Sequence, residues 1–134
     1  DAGLLPPNLY SIYRETHIAL SNGALILTGV GIRALVEAIC KEKDASGKNL
    51  EIKIDDLVTK KVLTEGGVEI LHSTRLMGNS SAHELIASGE VELGIALSLV
   101  EHLLMGMYIL PKKAEKLPKR KIILKNPVVK NKQI

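Results

Sequence analysis

Residues 24–43 are apolar nearly all round through Ile32 and acquire charge only at Arg33, Glu37 and Lys41. A helical stretch without a polar face must be surrounded by other elements, so this one predicts a buried central helix. Gly29 and Gly31 interrupt it at a cost of about 1 kcal/mol each relative to Ala. That cost predicts another backbone packed closely against the helix at these points. Residues 90–110 are comparably apolar and open with Glu90 and Glu92, acids suited to the positive end of a helix. This second run has the length of a membrane span, but Glu101 and His102 sit at its middle, where charge is costly in lipid. It is expected to be a core and subunit-interface helix, with no membrane as partner.

The remaining elements follow from punctuation. Leu5-Pro-Pro is an extended lead-in, and Asn8 is the expected cap of an amphipathic helix carrying Tyr10, Tyr13, Ile18 and Leu20. Asn22-Gly23 stops that helix. Residues 43–49 form a polar loop, a short helix covers about 52–60, and Thr64 can cap the next helix through the amides of Gly66 or Gly67. Ser88-Gly89 breaks the chain again, and Pro111 is expected to end the last helix. The chain has no Phe, no Trp and 3 Tyr, yet 46% of it is hydrophobic, so Leu, Ile, Val and Ala must fill the core. Leu and Ala favour helix. The expected fold is all-α, a bundle of about five helices in residues 1–117, followed by a basic tail at 118–134. Residues 121–125 and 126–130 read as a short strand or ordered arm within that tail.

Charge is unevenly divided. Residues 112–134 hold nine of the eighteen Lys and Arg and only one acid, Glu115, for a net of +8. Residues 1–111 carry nine basic and fourteen acidic groups, a net of −5. The body is therefore no basic nucleic-acid platform, and phosphate attraction must come from the tail or a local cluster. A single cysteine, Cys40, excludes an internal disulfide framework and suits a reducing compartment, and no secretory signal is visible. The expected location is cytoplasmic. Starting at Asp1 rather than Met, the chain reads as an excised fragment.

Candidate chemistry concentrates in Arg75-Leu-Met-Gly-Asn-Ser-Ser-Ala-His-Glu84, where poor helix formers stand inside a helical pattern. Val68, Leu71, Ala82 and Ile86 share one stripe of a continuous helix. Arg75, Asn79 and His83 fall at i, i+4 and i+8, within an arc of roughly 80° beside it. A cation, an amide and an imidazole at the edge of a core must be satisfied by partners or bind something. One reading is structural: Gly78 and Ala82 let helices pack tightly while the polar trio bonds loop carbonyls. The other is phosphodiester chemistry without metal. His83 then acts as general acid or base, Arg75 stabilises the charged transition state, and Asn79 orients His83 or the substrate. His72 lies near the same face. Arg33 and Glu37, at i and i+4, are either a structural ion pair or, through Arg33, part of a phosphate site. The four histidines show no metal-ligand spacing, and neither a nucleophile elbow nor a phosphate loop is present. No metal and no cofactor are expected.

These blocks, together with Leu5-Pro-Pro, Tyr13-Arg-Glu, Gly31-Ile-Arg-Ala-Leu-Val-Glu-Ala-Ile-Cys40 and Pro111-Lys-Lys-Ala114, resemble a bacterial uncharacterised domain family. That family is placed in the HEPN (higher eukaryotes and prokaryotes nucleotide-binding) superfamily, and its members occur alone or attached to type I restriction subunits. The resemblance spans about residues 4–117. It implies a HEPN-like RNA-binding or RNA-cleaving domain in a defence or stress context, with a homodimer bringing two motifs together. RNA and a protein of a defence system are its implied partners. HEPN ribonucleases carry an Arg, a polar residue, three variable residues and a His. Asn79 and His83 match the last two, whereas the arginine slot is Gly78. The alternative function is a non-catalytic protein-interaction or dimerisation module.

Overall fold

The structure is a computed structural model and describes residues 2–120. Among them there are helices, turns and connections, and no strand. Five principal helices follow in order: α1 (Pro7–Ser21), α2 (Leu25–Glu42), α3 (Leu50–Thr59), α4 (Glu65–Asn79) and α5 (Glu90–Leu104). A π turn, Met105–Ile109, joins α5 to a short α6 (Leu110–Ala114), and a 3-10 turn, Ala2–Leu4, precedes α1. The fold is the all-α bundle expected. The strand or arm anticipated within 121–130 lies outside the described residues.

The central helix is α2, but its burial does not follow the all-apolar stretch that predicted it: Ile26 and Leu27 are exposed, and its buried apolar side chains begin at Ile32. Ile32, Leu35, Val36 and Ile39 have no solvent exposure. They share one core with Leu9 of α1, Ile54 and Leu57 of α3, Leu71 of α4, and Leu93 and Val100 of α5. That core is aliphatic apart from Cys40 and Tyr108, the latter buried with its hydroxyl donating to Glu42 at 3.0 Å. The glycines of α2 mark where neighbours come closest. A methyl group at Gly31 would stand 2.2 Å from Thr16 Oγ1 of α1, so that crossing depends on its absence.

Helix starts follow the expected capping chemistry, with one shift. Thr64 Oγ1 accepts from the Gly67 amide at 3.1 Å, and Asn49 Oδ1 accepts from Ile52 at 2.9 Å. Asn8 does not cap α1: the helix begins at Pro7, whose missing N–H falls where a first turn has no use for it. Asn22 instead closes the far end, donating from Nδ2 to the Ile18 carbonyl.

Two expectations about helix ends are corrected. Pro111 does not terminate the last helix, which runs on to Ala114. The π turn widens the backbone just before it, so the proline enters near the start of α6, where its lack of a donor costs little. The motif helix is not continuous through Ile86. It ends at Asn79, a second π turn takes Ser80–Glu84, Leu85 adopts a left-handed conformation with φ of 56°, and Ile86 is exposed. The whole run Glu90–Ala114 is long and apolar enough to cross a membrane by length and composition. Its Leu93, Ala96, Leu97, Val100 and Leu104 face is buried in the bundle.

Burial leaves three acidic groups that titrate late, among them the Tyr108 hydroxyl, pushed up by desolvation and by its hydrogen bond to Glu42. Desolvation pushes the Cys40 thiol from 9.0 up to about 11. Desolvation, reinforced by the hydrogen bond to Glu101, pushes the Tyr13 hydroxyl from 10.0 up to about 12. In each case the unfolded chain ionises first, so the stabilisation is complete below about pH 9 and is lost as pH rises toward 11–12. Melting temperature measured against pH is expected to fall through this window, and the double variant Cys40→Ala, Tyr13→Phe is expected to show a shallower fall.

Candidate functional site

The site is organised by a crossing of α4 over α2 that only a glycine permits. A Cβ at Gly78 would lie 2.5 Å from Arg33 Cβ, 3.2 Å from Arg33 Cα and 3.1 Å from the Gly29 carbonyl oxygen. The two backbones are therefore in contact at the position that the resemblance assigns to an arginine. One residue further on, Asn79 Oδ1 accepts a hydrogen bond from Arg33 Nη1. Arg33 Nε also pairs with Glu37 at 3.2 Å, with the arginine side chain 23% exposed. Thus the guanidinium beside Asn79 comes from the neighbouring helix. With Oδ1 engaged, the Asn79 amide retains two N–H donors, and Arg33 retains donors beyond those given to Asn79 and Glu37.

Arg75 goes elsewhere. Its Nε donates to His72 Nδ1 at 3.4 Å, and His72 Nε2 lies 2.8 Å from Asp55 Oδ1 on α3. This network assigns the His72 tautomer with hydrogen on Nε2, since Nδ1 accepts from Arg75. Asp55 has no sequence signal, because its partner is seventeen residues away on another helix. The expected arc of Arg75, Asn79 and His83 on one helix is corrected accordingly: Arg75 turns toward α3, Asn79 pairs with α2, and His83 follows the end of α4.

His83 sits in the π turn and is exposed. The turn is pressed onto α2 at Gly29, where a methyl group would meet Ser81 Oγ at 1.9 Å and Ser81 Cβ at 2.6 Å. Ser81 is fully buried, and its hydroxyl has no hydrogen-bond partner among the described residues. His83 is followed by exposed Glu84 and then by two exposed apolar residues. Leu85 is 69% exposed and Ile86 58%, with Val91 and Ile95 of α5 and Leu27 of α2 also open to solvent. Ala87 and residues 23–27 at the start of α2 line one concavity.

Of the six candidate residues, the structure joins Arg33, Glu37 and Asn79 in one contact set and His72 with Arg75 in another, while His83 stands at the outer end of the motif. Among the described residues no three His, Cys, Asp or Glu gather to hold a metal ion. Lys41 and Lys53, which line a concavity with Arg33 and Glu37, escaped the sequence reading. Lys41 continues the 33, 37 spacing by one more turn, a signal that was present, whereas Lys53 is brought in only by the fold.

Compared with known protein families, residues 14–120 match a domain of unknown function, DUF4145. No curated protein and no solved structure matches the chain.

Two glycines on α4 are expected to respond oppositely to the same change. Gly78→Ala gains helix propensity of about 1 kcal/mol but forces α2 and α4 apart, and is expected to lose about 1–3 kcal/mol net. Gly66→Ala meets only Thr64 Oγ1 at 3.9 Å and is expected to gain about 0.5–1 kcal/mol. Urea denaturation of both variants checks the pair.

Proposed function

The chain belongs to a family of domains of unknown function, DUF4145, and we propose that it is a HEPN-like RNA-binding domain with metal-independent RNA cleavage as its reaction. The setting proposed is cytoplasmic, in defence or stress response and alongside a protein partner of such a system. The observation that carries this reading is the Arg33–Asn79 contact across Gly78. The resemblance asks for a guanidinium beside the polar residue of the motif, and Arg33 supplies one from the adjoining helix although position 78 itself is glycine.

The chemistry is written on these groups. His83 accepts the proton of a ribose 2′-hydroxyl as its oxygen attacks phosphorus and the bond to the 5′-oxygen breaks. The products are a 2′,3′-cyclic phosphate and a 5′-hydroxyl, whose proton a second imidazole donates. Arg33 and the Asn79 amide face the non-bridging oxygens, where negative charge gathers. Each chain carries one such histidine, so the partner subunit's His83 is the second imidazole in a homodimer. The exposed apolar side chains Leu85 and Ile86, which follow His83 in the chain, together with Val91, Ile95 and Leu27 support that pairing, because large exposed apolar side chains suit an interaction face. The exposed lysines 112, 113, 116 and 119 and Arg120 add sequence-independent attraction to phosphate.

The same apolar face favours the second reading, a non-catalytic interaction module, and one experiment separates them. Generic RNA is incubated in chelator with wild type, His83→Ala and Arg33→Gln. On the cleavage reading, His83→Ala loses activity by roughly a hundredfold or more with its melting temperature unchanged. RNA left intact by wild type, or cut equally by His83→Ala, removes the ribonuclease assignment. Light scattering at micromolar concentration is expected to give a dimer, and Ile95→Lys a monomer.

A further inference from the structure

The lead-in before α1, Tyr13 of α1, and α5 with the π turn that follows it enclose a concavity of about 360 Å³. Leu5, Leu104 and Ile109 give it a buried apolar wall, and Met105, an exposed and adaptable side chain, stands with them. Ser98, Glu101, Met105 and Ile109 line it at spacings of three and four residues, one stripe running out of α5 into the π turn. Among these apolar groups stands one carboxylate. Glu101 is half-buried, and the Tyr13 hydroxyl donates to its Oε2, tying α1 to α5. Its other oxygen has no hydrogen-bond partner, and the group stands in no ion pair, among the described residues. Tyr13 keeps its proton, since desolvation and the bond to Glu101 push its hydroxyl up to about 12, so the negative charge of the pair rests on the carboxylate. His102, the remaining ionisable group of the wall, is exposed and adds no negative charge, and among the described residues neither Lys nor Arg lines the space.

A carboxylate set in an apolar wall is costly without a counter-charge. A ligand that joins one cation to an apolar body answers both parts of this wall at once. One carboxylate calls for one ammonium, which argues against a polyamine. The volume lies near the lower end of the roughly 300–1,000 Å³ typical of small-ligand sites, which limits the body to a short one. The free carboxylate oxygen and the Ser98 hydroxyl are acceptors for ammonium N–H groups, and the Met105 sulfur and Tyr13 ring favour an aryl group. We propose that this concavity binds a small primary monoamine of the arylalkylamine class, its ammonium on Glu101 and its hydrocarbon part against Leu5, Leu104 and Ile109. None of these residues takes part in the function proposed above, and the inference does not rest on it.

The test titrates the full chain with 2-phenylethylamine at pH 8, where a free imidazole is largely uncharged, while side-chain methyl resonances are followed. Those of Leu5, Leu104 and Ile109 are expected to move saturably at millimolar amine. 2-Phenylethanol, similar in shape but uncharged, is expected to bind at least roughly tenfold more weakly. Glu101→Gln, whose amide carbonyl can still accept from Tyr13, is expected to lose roughly tenfold in amine affinity and to bind the alcohol as wild type does. The comparison of amine with alcohol needs no variant, so it decides the role of charge even if Glu101→Gln is unstable. Glu65→Gln, Glu69→Gln, in a separate acidic concavity, serves as control and is expected to bind the amine as wild type does. Equal binding of amine and alcohol, equal amine affinity in a folded Glu101→Gln, absence of saturation, or shifts confined to Val58 and Val68 beside Glu65 and Glu69 overturns the proposal.

Discussion

The backbone contact between α2 and α4 at Gly78 is the constraint on which the rest of the site depends. It sets the separation of the two helices, and that separation decides which guanidinium Asn79 meets. Were a side chain present at position 78, α4 would stand off from α2 and Arg33 would no longer reach the Asn79 carbonyl. The missing motif arginine and the cross-helix hydrogen bond are thus two sides of one packing fact. Position 78 is glycine where Arg33 passes beneath it.

This explains where sequence reasoning held and where it did not. The central place of α2 was legible in residues 24–32, which carry no charge, although Ile26 and Leu27 of that stretch stay exposed, and the Thr64 cap was legible because its hydroxyl can serve only the first turn beyond it. The close packing at Gly29 and Gly31 was legible for the same local reason: glycine inside an apolar helix calls for a neighbour. What stayed hidden is non-local. No periodicity indicates that Arg33 rather than Arg75 meets Asn79, or that Asp55 receives His72. The continuity of α4 past Asn79 was inferred by extending a 3.6-residue period, and a π turn breaks that period without any proline to announce it.

The two π turns have opposite uses. The one at Met105–Ile109 keeps a helix going past Pro111, carrying Lys112 back to the N-terminal lead-in, where its Nζ donates to the Leu4 carbonyl at 3.1 Å. The one at Ser80–Glu84 ends a helix and redirects the chain, so that His83 is followed within three residues by exposed Leu85 and Ile86 rather than by another buried turn. The concavity lined by Arg33 and Lys41 lies toward the C-terminal end of α2, and the one lined by Ala87 lies around its N-terminal end.

Ser81 gives the second of these turns a thermodynamic character of its own. Its hydroxyl is sealed against Gly29 without a hydrogen-bond partner among the described residues. A buried group in that condition costs about 1–3 kcal/mol. The closed turn is thus disfavoured where it touches α2, and lifting it by one residue's width would return the hydroxyl to water without disturbing the aliphatic core. The turn that bears His83 is thus the part of the described bundle whose closure carries an unsatisfied hydroxyl, next in the chain to the Arg33–Asn79 contact.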